Sequence, residues 1–252
     1  MENKDFIICL ASYEKRINTI HLCLESLFNQ TVKPKKIILY LDDSVKNLPK
    51  EINQFCRKGL IIIRVSSILK SHNKYYYSFK KYSKYVIITV DDDCIYEKDL
   101  CYHLMNSYKK YPNCVSASRV HYIMFDKENE IMPYQNWIFE CNKISSPSMK
   151  LFATGVGGVL YPPKLMPKET FNVKNIISLS LGADDIWLKF MQIINHIPVV
   201  WSGQNPQHPI PIEGTKEVGL YITNKIKNDQ YIQKLANYYN IDLYKELSGG
   251  VI

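Results

Sequence analysis

Three consecutive carboxylates, Asp91, Asp92 and Asp93, end a β-branched apolar run, Val86-Ile87-Ile88-Thr89-Val90. A run of that length and composition predicts a strand buried on both faces, as in a parallel sheet. Sheets of the α/β kind meet their ligands at the carboxyl ends of strands. Three acids crowded there repel one another unless a cation sits among them. Mg²⁺ or Mn²⁺ suits such a place, because hard cations take oxygen ligands and share them with substrate phosphates. Asp91 and Asp93 leave the strand on the same side and are the expected ligands, with Asp92 free to meet a hydroxyl or a water. An acidic turn with no ligand is the plainer alternative.

Two further acid pairs stand at comparable places. Asp42 and Asp43 close a second apolar run, where a carboxylate can accept hydrogen bonds from a ribose or base or simply form an Asx-type turn with Ser44. Asp184 and Asp185 open an amphipathic stretch. One aspartate suffices to cap a helix and meet its positive end, so the second is available as a general base. Arg16, soon after the first apolar run, and Lys74, ahead of the metal strand, are cations that suit a diphosphate. His208, in a proline-rich loop, is a candidate metal ligand or phosphate contact. Gly155, Gly157 and Gly158 permit close approach of backbone to a ligand.

The elements that must hold these groups follow from periodicity. Strands are expected at residues 6–10, 36–41, 60–65 and 86–90, and helices at 17–28, 48–57, 75–82 and 99–108. That βαβα order predicts an α/β fold with a mainly parallel sheet and right-handed crossovers. A further strand is expected at 113–118. Residues 121–147 read as loops or a small antiparallel element. An amphipathic helix opening at Asp184, a short strand at 199–201 and a Lys/Asn-rich helical tail from about Glu217 complete the pattern. No repeat or linker divides the chain.

With 252 residues, 46% of them hydrophobic, the chain can bury a sizeable core, which excludes wholesale disorder. The net charge of +8 suits an anionic partner such as a nucleotide or a phospholipid headgroup, although it locates no patch. Seven cysteines are scattered without a CxxC pair or zinc-like spacing, as expected in a reducing compartment. No apolar run approaches the roughly 20 residues of a membrane span. A soluble or peripherally attached cytoplasmic protein is therefore expected, on the inner face of the membrane if the basic tail touches anionic lipid.

Together these residues resemble the GT-A-fold glycosyltransferases, especially family-2-like bacterial enzymes of capsule and lipopolysaccharide assembly. Ala11-Ser12-Tyr13 through Arg16 resembles the opening loop that touches the nucleotide, and Leu41-Asp42-Asp43-Ser44 the second nucleotide-binding acid. Val90-Asp91-Asp92-Asp93 is similar to the metal-binding DxD motif, and Ala183-Asp184-Asp185-Ile186 to the catalytic acid pair at a helix start. The pair departs from the usual Glu-Asp, and the Gln-x-x-Arg-Trp motif of processive synthases is missing, which implies an enzyme that adds a single sugar. The resemblance implies one GT-A (Rossmann-like) domain over residues 1–252, with helices on both faces of the sheet. Residues 1–110 would form a nucleotide-binding half, 111–215 an acceptor and catalytic half, and 216–252 a helical tail. It implies transfer from a nucleotide-diphosphate sugar to a hydroxyl of a glycan or lipid-linked glycan, with inversion and without nucleic acid. Ser12, Arg16, Asp42, Asp43, Lys74, Asp91 and Asp92 would bind the donor. Asp91, Asp93 and His208 would hold Mn²⁺ or Mg²⁺, and Asp185, with Asp184 as second choice, would be the base. Trp137, in the aromatic segment 134–137, would bound the acceptor pocket with Gly155, Gly157 and Gly158.

Two other classes compete. A sugar-phosphate nucleotidyltransferase shares the sheet and the Mg²⁺ carboxylates, but it calls for a glycine-rich loop after the first strand, and 11–16 has none. A non-catalytic nucleotide- or nucleic-acid-binding protein has only the basic and aromatic residues of 74–84 in its favour, without a recognisable motif.

Overall fold

Period-two alternation along the central strands sorts their side chains into two cores. Ile7, Ile38 and Ile87 enter one core, and their neighbours Ile8, Ile37 and Ile88 the other. The computed structural model describes residues 5–215 and 221–249. Strands β1 (Phe6–Ser12), β2 (Lys36–Asp42), β3 (Leu60–Val65) and β4 (Val86–Thr89) run parallel, and every residue of β4 is buried. Between them lie α1 (Ile20–Phe28), α2 (Ile52–Arg57) and α3 (Asn73–Lys81). A two-residue strand, β5 (Cys94–Ile95), and α4 (Leu100–Lys110) follow.

The second half adds β6 (Val115–Ala117), β7 (Val120–Tyr122), β8 (Leu151–Ala153) and β9 (Val159–Tyr161). Helices α5 (Val173–Ser180) and α6 (Asp184–Ile194) precede β10 (Val199–Trp201) and β11 (Ile210–Pro211). The chain continues in α7 (Tyr221–Tyr239) and α8 (Leu243–Ser248). The main sheet has the order β10-β6-β9-β4-β1-β2-β3, so strands of both halves share it. Only β9 is antiparallel to its neighbours, and the mainly parallel α/β expectation holds. Residues of α1, α2 and α4 fill the core on one face, and those of α3, α5, α6 and α7 fill the core on the other.

Several expected bounds shift. The first helix starts at Ile20 rather than residue 17, because the backbone makes turns there, with Arg16 N–H on Tyr13 O and Thr19 N–H on Arg16 O. The second starts at Ile52 rather than residue 48. The aromatic segment 121–147 forms loops closed by isolated antiparallel bridges, Tyr122 with Ile138 and Phe125 with Ile131, while β7 pairs with β8 beyond it. Helix α5 was not foreseen at all. Its apolar face, Ile176 and Leu179, is short and becomes readable only once α6 and α7 pack on it. The first residues of the expected tail, 216–220, lie outside the described residues; from Tyr221 the tail is helical, as expected. Among the described residues no helix is long and apolar enough to cross a membrane.

Candidate active site

The β1–β2 and β1–β4 registers (Ser12 opposite Leu41, Cys9 opposite Thr89) bring the chain ends leaving these strands to one edge of the sheet. Val90 still bonds Cys9 O, and the acid triplet then turns away. Tyr96 pins that turn. Its buried hydroxyl accepts from Asp91 N–H at 2.9 Å and donates to Val156 O at 3.0 Å, tying the triplet to the turn at Gly155–Gly157.

Fixed cations meet the triplet. Arg16 contacts Asp92 at 2.7 Å through Nη1 and Asp93 at 2.9 Å through Nη2. Lys74 is buried, with Nζ 2.6 Å from Asp91 Oδ1 and 2.8 Å from Asp184 Oδ2. It therefore joins the acids of β4 to those of α6. Burial works against the Lys74 charge, but Asp184, Asp91 and Asp185 outweigh it and hold the ammonium firmly protonated. Burial raises Asp92, with Arg16 opposing. Burial and Asp91 push Asp93 up to about 6.

At the start of α6 the two aspartates part ways. Asp184 is buried, yet the Lys74 ammonium outweighs that burial and lowers its pKa. Asp185, partly exposed, is pushed up to about 7 by burial and by the Asp184 charge. Its Oδ2 accepts from Gly155 N–H at 2.9 Å. A Cβ at Gly155 would stand 2.8 Å from both Asp185 Oδ1 and Lys74 Nζ, so glycine is what lets these groups approach. Neighbouring carboxylates with separated pKa values suit different tasks: a fixed charge at Asp184 and a proton acceptor at Asp185. His72 Nε2 donates to Ser180 O (3.1 Å) and Nδ1 accepts from Tyr75 (2.7 Å), while burial lowers the ring to about 4 and keeps it neutral.

The structure thus gathers Ser12, Arg16, Lys74, Asp91, Asp92, Asp93, Gly155, Asp184 and Asp185. Ser12 is buried at the end of β1, on the same edge. Asp42 and Asp43 lie on the same edge, at the end of β2, already engaged in turns: Asp42 Oδ1 accepts from Ser44 N–H (3.0 Å), and Asp43 Oδ1 from Ser67 N–H (3.2 Å).

Three expectations change. Trp137 is only 6% exposed and donates its indole N–H to Met132 O (2.9 Å), with Tyr134 and Phe152 against its ring. It is a core residue and no acceptor platform, because its faces are already covered. Gly157 and Gly158 shape the turn instead of lining a pocket. A Cβ on Gly157 would meet the Arg119 backbone nitrogen at 2.9 Å, and Gly158 has φ +91°. His208 is exposed and donates Nδ1–H to Pro209 O at 2.7 Å. Among the described residues no three His, Cys, Asp or Glu side chains form a group able to hold a metal, so His208 does not join Asp91 and Asp93.

Two carboxylates do fit a divalent ion that keeps other oxygens from water and phosphate. Burial first, and then the neighbouring charges of Asp91 and Asp184, raise Asp93 and Asp185, and a cation beside them would favour their ionised forms. Sequence reasoning missed Tyr96, and also Arg119 and Thr154, which hold the far side of the glycine turn through a 3.1 Å hydrogen bond. The aromatic flank of the triplet was the one available signal for Tyr96.

A mainly parallel sheet with acids gathered at its strand ends, and an acid pair opening a helix beside them, has the architecture of a GT-A-like fold. Residues 7–157 match Glycosyl transferase family 2. The chain belongs to that family and is a glycosyltransferase. Its fold is similar to that of S. aureus TarS 1-349 (14% identity, TM-score 0.54, covering 98% of this chain and 75% of that one). TarS 1-349 is also known in complex with UDP (13% identity, TM-score 0.54, covering 98% of this chain and 75% of that one). It is likewise similar to the mannosyltransferase PcManGT from Pyrobaculum calidifontis in complex with GDP-Man and Mn²⁺ (9% identity, TM-score 0.57, covering 95% of this chain and 65% of that one). No curated protein matches the chain.

Proposed function

We propose that the chain transfers one sugar from a nucleotide-diphosphate sugar to a hydroxyl of a glycan or lipid-linked glycan, with inversion. The observation that carries this reading is Asp185, raised to about 7 and held by Gly155 N–H beside Lys74 and the acid triplet. A base with a pKa near working pH combines a useful ionised fraction with a driving force for proton transfer.

The nucleoside lies over the ends of β1 and β2, near Ser12, Asp42 and Asp43. Asp91 and Asp93 are the residues suited to hold Mn²⁺ or Mg²⁺ against the diphosphate, as the PcManGT complex with GDP-Man and Mn²⁺ suggests by analogy of fold. Such an ion would take up charge developing on the departing diphosphate. Arg16 keeps Asp92 and Asp93 oriented, and Lys74 holds Asp91 and Asp184 at a fixed spacing. Asp185 accepts the proton of the acceptor hydroxyl as its oxygen attacks the anomeric carbon. The bond from that carbon to the diphosphate breaks on the opposite face, so the configuration inverts.

Incubation with a panel of UDP-, GDP- and dTDP-sugars tests the reading. One donor is expected to release its nucleoside diphosphate and pass its sugar to an acceptor or to water. A panel left intact, with nucleotide binding preserved, would support a binding protein instead.

A further inference from the structure

We infer that the exposed face of Phe139, together with the Arg119–Glu140 pair, forms the seat of a neutral hexopyranosyl unit of the acceptor. The inference rests on the transferase reading and names its acceptor class.

The first ground is position. Asp185 accepts from Gly155 N–H, the preceding Thr154 hydroxyl accepts from Arg119 Nη1 at 3.1 Å, and Arg119 Nε donates to Glu140 Oε1 at 3.1 Å. Phe139 is the next residue along. A Cβ on Gly157 would stand 2.3 Å from Arg119 Cβ, so the same glycine turn that seats the acid pair also seats this arginine.

The second ground is strain. Glu140 has φ +50°, a left-handed conformation that a residue with a β-carbon holds only when its surroundings impose it. Three bonds impose it here. Its N–H donates to His121 Nδ1 (3.2 Å), its carbonyl accepts from Gln207 Nε2 (3.0 Å), and its carboxylate takes Arg119. The side chain thus locked is exposed, which packing alone does not require. Backbone strain held this way collects at ligand-binding sites.

The third ground is the aromatic surface. Phe139 is 40% exposed and lies on the buried His121 ring, centroids 4.3 Å apart and 21° from parallel. Burial and Arg119 lower His121 to about 3, so the ring beneath stays uncharged. Phe139 thus rests on His121, with the Tyr134 ring tilted 5.5 Å away, and keeps 40% of its surface open to a ligand. Flat sugar faces stack on such a ring. The guanidinium supplies donors and the carboxylate supplies acceptors for ring hydroxyls. Because Glu140 already neutralises Arg119 and repels anions, the seat favours a neutral sugar over a uronate or a sugar phosphate.

The test is ligand-observed NMR and calorimetry of the whole enzyme with methyl glycosides of neutral hexoses, a methyl uronoside and a hexose phosphate. At least one neutral glycoside is expected to bind at millimolar concentration. Phe139→Ala should weaken it at least tenfold, Phe139→Trp should retain it, and Glu140→Gln should relax discrimination against the uronoside. Tyr238→Ala, an exposed aromatic on α7, serves as the control that leaves binding unchanged, and thermal unfolding verifies that each variant folds. No binding by any neutral glycoside, preference for the anionic ligands, or binding indifferent to Phe139→Ala would each overturn the inference. Failure of the wild type to turn over any nucleotide-sugar would instead overturn the transferase reading, a separate outcome.

Discussion

Asp185 is distinguished from Asp184 by its neighbours and not by its chemistry. Lys74 holds Asp184 ionised, while burial and the Asp184 charge raise Asp185 to about 7. Only the deprotonated base accepts the acceptor's proton, so the rate should rise with pH and level off above about 7. A pH–kcat profile checks this. Asp185→Asn should cut kcat by about 10²–10⁴ while nucleotide-sugar binding persists. Gly155→Ala should also lower kcat, because its Cβ would fall 2.8 Å from Asp185 and Lys74 and displace the base. The acids of this site were legible in the sequence because charge at a strand end or helix start is a local pattern. Their pairing with Lys74 and Gly155 was not, since it joins residues far apart in the chain that only the fold brings together.

At the scale of elements, α6 must meet β8 in one register for Asp185 to reach Gly155. Lys189, one turn beyond Asp185, is buried on α6 and donates to Met149 O (2.5 Å) and Leu151 O (2.9 Å), fastening the helix to the start of β8. Burial lowers its pKa to about 7 from the ordinary lysine value. Between pH 7 and the unfolded value, the unfolded chain binds this proton and the folded one does not. Stability contributed here therefore rises with pH across that window, by up to about 1.4 kcal/mol per pH unit. Urea unfolding from pH 7 to 9 should show that slope lost in Lys189→Met, measured as the difference from wild type. Trp137 belongs to the same layer. Trp137→Ala should cost roughly 3–5 kcal/mol of stability, whereas a selective loss of acceptor use without destabilisation would restore it to the acceptor pocket. The strands of the first half were readable because each is a short apolar run between polar breaks. Helix α5, the β7–β8 pair and the burial of Trp137 were not, since each depends on contacts between distant segments. An aromatic-rich stretch looks the same in sequence whether its rings stack outward on a sugar or inward on Phe152.

On the scale of the whole molecule, α7 straps together segments of the second half of the chain. Lys234 donates to Ser178 O on α5 (2.5 Å), the Tyr239 hydroxyl meets Glu169 (2.6 Å), and Asp229 accepts from Tyr134 N–H (2.7 Å) in the loop that leads to Phe139. Helix α5 and that loop therefore share one support. The charge balance points outward, to what the site receives. Asp91, Asp92, Asp93 and Asp184 are paired internally with Arg16 and Lys74, Asp185 accepts from Gly155 N–H, and Asp93 and Asp185 remain raised toward neutrality. Mn²⁺ should therefore raise the melting temperature at pH 7.5, through preferential binding to the folded state. The effect should fade below about pH 6, where Asp93 takes up a proton, and should be lost in Asp93→Ala. The most direct measurement is release of nucleoside diphosphate from the preferred nucleotide-sugar, by chelator-treated enzyme with and without added Mn²⁺, for wild type and Asp93→Ala side by side. The account predicts turnover by the wild type only with metal, and turnover lost in the variant. Equal turnover without metal, or a variant as active as the wild type, would contradict it.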